Sequence, residues 1–83
     1  MEKKVGEITH FFAKPRAAVL KLESALKVGD KVHIHGHSTH ITQEVTSLQV
    51  DRKEVDAAKP GDDVAMLVTD RVRDGDEVFL VEE

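Results

Sequence analysis

Eighty-three residues without a cysteine make one small domain, with a thin core that no disulfide or thiolate zinc site braces. Apolar residues make up 40% of the chain, enough for a packed domain, but no run nears the ~18 residues of a membrane helix and no signal-peptide segment stands at the start, so the expected compartment is the cytoplasm. A net charge of −4 excludes a uniformly basic nucleic-acid binder, yet it divides unevenly, with seven Lys/Arg against four Asp/Glu in residues 1–37 and five against twelve in residues 38–83.

Val5 to Phe12 reads as a first strand. A basic turn, Lys14-Pro15-Arg16, separates it from a second, Ala17 to Leu22, in which Ala18, Leu20 and Leu22 share a face. Val28-Gly29-Asp30 is a turn, followed by a third strand, Lys31 to His37, where Val32 and Ile34 alternate with histidines. Ile41 to Val50 is the fourth and longest. Its apolar positions fall out of phase between Val45 and Leu48, which predicts a bulge near Ser47. Arg52 to Ala58 holds helix formers but is too short for a stable helix, and reads as a loop with at most one helical turn. Lys59-Pro60-Gly61-Asp62 is a turn, with proline and glycine placed as a type II turn requires. Val64 to Val68 is a fifth strand, Arg73-Asp74-Gly75-Asp76 a turn, and Glu77 to Val81 a sixth. Asp30, Asp62 and Asp76 each follow a turn glycine, where an aspartate bonds a nearby backbone N–H. Six strands at this spacing imply an all-β sandwich or closed barrel, closure being favoured because it leaves no exposed edge.

Chemistry-bearing motifs are few. No glycine-rich phosphate loop followed by Lys-Ser/Thr is present, so the chain is not expected to bind GTP or ATP. No serine sits in a nucleophile elbow and there is no cysteine, so no catalytic residue and no enzymatic activity are expected. The clearest cluster is His33, His35, His37 and His40. Alternate histidines on a strand lie about 6.6 Å apart at Cα and can share a zinc or copper ion, which makes His33 and His35 candidate metal ligands. The competing reading is that they form the solvent side of a strand whose core side is Val32 and Ile34. Lys14 and Arg16, preceded by Phe11 and Phe12, are candidate RNA contacts, the cations on phosphates and the Phe12 ring under a base. Against this, a chain with three phenylalanines needs them in its core. The acidic residues near the C-terminus follow no calcium-loop series and read as a solvated face.

The segment KVGDKVHIHG (27–36), the stretch from Val45 to Val68 and the closing VRDGDEVFLV (72–81) resemble the second-domain barrel of translational GTPases such as elongation factor Tu. The opening VGEITHFFAKPRAAVLKL (5–22) is more similar to the C-terminal barrels of collagenase-like peptidase-family proteins linked to tRNA modification, and to small stand-alone translation factor-like proteins. Together the resemblances span residues 5–81 of a single domain, 1–83. They also decide Ala17 to Lys27, which composition leaves open between helix and strand, in favour of a strand through Leu22. They imply a six-stranded, closed Greek-key barrel acting as a non-catalytic binding module without a cofactor. Its implied partners are tRNA or another RNA, or a protein of translation or tRNA modification. The alternatives are an accessory subunit of a separately encoded enzyme and a histidine-based metal-binding protein.

Overall fold

Short runs of alternating apolar residues, separated by aspartate-closed turns, fold here as strands throughout. The computed structural model describes residues 2–14 and 16–81. Ten strands follow in chain order: β1 (Glu2–Phe12), β2 (Ala17–Leu22), β3 (Leu26–Lys27), β4 (Lys31–His35), β5 (His40–Glu44), β6 (Leu48–Val50), β7 (Lys53–Val55), β8 (Ala57–Ala58), β9 (Asp63–Leu67) and β10 (Glu77–Val81). Eight form one sheet in the order β5-β4-β10-β1-β2-β9-β6-β7, and β3 pairs with β8 in a second. Every pairing is antiparallel. Among the described residues no helix is long and apolar enough to cross a membrane.

All six expected strands are present, with the fourth divided. β5 ends at Glu44, the chain bends through residues 45–47, and β6 starts at Leu48. This break resolves the phase mismatch, since Val45 and Leu48 are both fully buried. The third strand ends at His35, and His37 falls in the turn beyond it. The expectation for Arg52 to Ala58 is corrected: that stretch carries β7 and β8 and no helical turn. Asp51 and Arg52 both take positive φ, 52° and 65°, in the two-residue turn between β6 and β7. Two such residues in succession give the twist that a tight hairpin needs, a conformation usually signalled by Asn-Gly.

The carboxylates of Asp30, Asp62 and Asp76 accept hydrogen bonds from the backbone N–H groups of Lys27, Lys59 and Arg73 at 3.0, 3.2 and 2.9 Å. In each turn the aspartate's own N–H donates back to the carbonyl of that same residue. One turn chemistry is therefore used three times, as the sequence indicates.

β1 is long enough to pair with β10 along its first half and with β2 along its second, and its register shifts once in each ladder. Such shifts bend a strand and increase sheet twist. The curl brings the edge strand β5 to the end of β9, where Gln43 Nε2 donates to the Leu67 carbonyl at 2.9 Å. Gln43 Oε1 accepts from Thr69 N at 2.9 Å and from Thr69 Oγ1 at 3.3 Å. The sheet order ends at β5 and β7, which are not paired with each other, so a ring closed by backbone hydrogen bonds is not part of the observed pairing.

The inward faces meet in one aliphatic cluster that includes Val5, Ile8, Leu20, Leu26, Ile34, Leu48, Met66 and Val78. No aromatic residue is at its centre. Phe11 packs against the cluster from its margin, and Phe12 is 49% exposed, so the expectation that the core needs its phenylalanines is corrected. Leucine, isoleucine and valine in alternate rows fill a small interior without rings. On the outer face, Lys4 Nζ lies 3.0 Å from Glu77 and 3.4 Å from Glu23. The Glu77 carboxylate, with Glu23 beside it, holds the Lys4 ammonium above its usual value.

Candidate functional site

Three connections meet at one end of the sheet: the β1–β2 turn, the β4–β5 turn and the irregular segment from Val68 to Asp76. The long segment is pinned at its start, middle and end. At the start, Val68 N donates to the Arg16 carbonyl at 2.9 Å, and Arg16 Nη1 donates to the Thr69 carbonyl at 2.9 Å. In the middle, Val72 is 1% exposed and plugs the end of the core. At the end, the buried Asp76 lies beneath Gly36, and Gly75 N and Asp76 O hydrogen-bond to Ile8 of β1. Because Val72 points inward, its neighbours Arg71 and Arg73 are left exposed.

Arg16, Arg71 and Arg73 line three adjoining clefts. Arg16 and Arg71 border the first with Phe11, Ala13 and Asp70. Arg71, Arg73 and Asp70 border the second with Ser38, Thr39, His40 and Ile41. Arg73 borders the third with His10, Phe11 and Asp74. Among the described residues none of the three guanidiniums is ion-paired. Counting Lys14, this end holds four cations against Asp70, Asp74 and the buried Asp76. That is a net +1 in a chain of −4, so the remainder carries −5.

Of the sequence-derived candidates, Arg16 lines the first cleft. Lys14 is exposed in the same turn but borders none of the three. Phe12 turns to the outer face of the sheet, and it is Phe11 that borders the clefts. Arg71 and Arg73 carry no sequence signal of their own, because they belong to the acidic half and to no strand.

His33 and His35 lie on the outer face of β4 and are joined by His40 of β5, which pairs with His35. Ring centroids are 4.6 Å apart for His33–His40, 5.8 Å for His33–His35 and 6.0 Å for His35–His40. Strand pairing thus substitutes His40 for the His37 that period-two counting favours. Among the described residues, no three histidine, cysteine or carboxylate side chains are arranged to hold a metal ion.

A second surface lies on the outer face of β1, β2 and β9. Phe12, Ala17 and Leu67 are register partners in one row, and His10, Val19 and Ala65 in the next. Phe12 and Leu67 are 49% and 43% exposed, and the His10 ring stands edge-on to Phe12 at 4.4 Å. Beside them a groove of about 320 Å³ is lined by Ala17, Ser47, Gln49, Ala65, Met66 and Leu67.

No family model matches the chain. It is 36% identical over 80 residues to a Methanocaldococcus jannaschii protein named as an uncharacterized protease. That match takes in 95% of this chain, which spans about a fifth (20%) of the relative's length. Two crystal structures of the C-terminal domain of a Geobacillus thermoleovorans protein named as a U32 peptidase superpose on it. One gives a TM-score of 0.90 at 18% identity, covering 96% of this chain and 93% of the other. Its selenomethionine variant gives 0.87 at 19%, covering 92% and 96%. These likenesses support the peptidase-domain part of the resemblance and lend nothing to the elongation-factor part. At such identities they show the fold alone: this chain folds as that C-terminal domain does.

Proposed function

We propose that the chain is a non-catalytic accessory domain that works docked on a larger, peptidase-type protein body. The observation that carries this is the mismatch of coverage: nearly all of this chain aligns with a fifth of its relative, so the relative has four-fifths of its length to pack against the shared unit. The outer face of Phe12, Ala17, Val19, Ala65 and Leu67 supplies a matching surface. Phe12 and Leu67, 49% and 43% exposed in one row, support an interaction site on this face. The curl fastened by Gln43 supports a barrel-like unit presenting that face rigidly. A body that belongs to tRNA modification fits the resemblance of the opening segment.

The test is to mix this chain with the M. jannaschii relative from which the matching segment has been deleted, and to measure binding by titration calorimetry. Phe12→Ser/Leu67→Ser is expected to weaken the complex at least tenfold, about 1.4 kcal/mol, as loss of a central apolar anchor does. Its melting temperature should stay within a few degrees of the parent's, because both side chains are already exposed. A complex that forms equally well with the variant removes this face from the reading.

A second reading, contact with tRNA or another RNA, is favoured by one observation: Arg71 and Arg73 join Arg16 at the loop end of the sheet.

A further inference from the structure

We propose that the three clefts at the loop end form one track that seats the phosphate backbone of a single RNA strand. This rests on the second reading above and gives it a site and a ligand chemistry. The clefts adjoin one another, since each shares an arginine with the next: Arg71 belongs to the first two, Arg73 to the last two. A track with repeated guanidiniums fits a ligand with repeated negative charge. Guanidinium is the side-chain group best matched to phosphate, since its planar fork donates to two oxygens at once.

The arginines are held ready for this. Val72 anchors the segment between Arg71 and Arg73, and the Asp76 carboxylate binds the backbone N–H of Arg73, leaving its guanidinium free of that carboxylate. The Asp70 carboxylate is similarly occupied with the backbone N–H of Arg71 at 2.8 Å. Asp70 and Asp76 thus each hold a main-chain N–H, while Asp74 stands exposed beside Arg73 in the third cleft. A strand is favoured over a duplex because the track is concave and lies between loops, whereas a helix groove calls for a protruding element.

The experiment uses the full chain and a 12-nucleotide single-stranded RNA of mixed sequence, followed by fluorescence anisotropy at 50 and 200 mM salt. Three phosphate contacts on a single strand give a log–log salt slope of about −2, so affinity should fall about 20-fold over that range. Arg71→Gln/Arg73→Gln should weaken binding at least tenfold at 50 mM. It should also flatten the salt dependence to about threefold, the residue of one contact. Lys27→Gln/Lys59→Gln makes the same charge change at the opposite end of the sheet and should cost less than twofold.

RNA binding that survives Arg71→Gln/Arg73→Gln at full strength overturns this site while leaving the RNA reading standing. Absence of binding by the parent chain at 50 mM overturns both. An equal loss in the two double variants shows a net-charge effect and overturns the site. Displacement of the RNA by polyglutamate at equal charge concentration overturns RNA in favour of an acidic peptide. Melting curves of both variants should match the parent, since the side chains replaced are exposed.

Discussion

Replacing Gly36 by alanine is expected to lower stability by about 2–3 kcal/mol, a drop of roughly 10–20 °C in melting temperature for a domain of this size. A methyl group built on Gly36 would overlap the carboxylate of Asp76 and stand 2.6 Å from its Cγ. Asp76 has nowhere cheap to go. It is 5% exposed, and its Oδ2 holds the Arg73 N–H at 2.9 Å. Its main-chain carbonyl accepts from Ile8 N at 2.8 Å. Either the carboxylate leaves its turn, stranding the Arg73 N–H, or the β4–β5 turn lifts from the Val68–Asp76 segment. Both outcomes loosen the segment that carries Arg71 and Arg73. Asp76→Ala alone should cost about 1.5–3 kcal/mol, the worth of a charge-assisted hydrogen bond. The double variant Gly36→Ala/Asp76→Ala should then cost less than the sum by about 1 kcal/mol or more, because the methyl group enters the space the carboxylate vacates. Strict additivity in thermal melts would show that the clash is not the cause.

The strands are legible in the sequence where one face is buried and the other wet, because alternation then repeats the geometry of the pleat. Lys31 to His35 shows this best, with Val32 and Ile34 fully buried and His35 exposed. The turns are legible from aspartate and glycine chemistry. What escapes is structure without a period. β3 and β8 have two residues each, too few to alternate, and exist because they pair with one another. The turn at Asp51-Arg52 escapes because neither residue is a usual carrier of positive φ in pairs. Gln43 looks like an ordinary polar residue, although its parity with Ile41 and Val45 puts it on the inward face.

The candidate site is half legible for a related reason. Arg16 sits in a turn between two recognisable strands, so its position at the sheet end follows from local reading. Arg71 and Arg73 sit in a segment with no repeat, and their exposure depends on Val72 filling the end of the core, a tertiary contact. Dividing the charge by sequence halves puts them with the acids, while folding returns them to Arg16. The histidines show the same limit. Period-two counting places His33 and His35 together, but only pairing of β5 with β4 brings His40 to them.

Gln43→Leu is the second substitution expected to have a large effect, about 1.5–3 kcal/mol, for a side chain of similar volume. Gln43 is 8% exposed and its amide is matched at both ends, donating to Leu67 O and accepting from Thr69 N. Leucine keeps the packing but leaves both main-chain groups of this part-buried contact without their side-chain partner, and a polar group left unmet costs up to about 1–3 kcal/mol. Chemical denaturation should show the loss with little change in the denaturant slope, since the surface exposed on unfolding is much the same. Gln43→Glu separates the hydrogen bonds from the packing. A carboxylate there can accept from Thr69 N but cannot donate to Leu67 O, whereas the protonated acid can do both. The folded state therefore favours the protonated form, which raises the pKa of the introduced carboxyl above its unfolded value. A group raised in this way binds more protons folded than unfolded, so stability falls as pH rises through that range and recovers on acidification. The stability gap between Gln43→Glu and the parent should accordingly shrink as pH falls through the raised folded pKa and reach its smallest value at about pH 4, where a free glutamate is itself protonated. A gap that is flat with pH would mean that Gln43 acts through shape, and that the curl of β5 onto β9 is held by packing alone.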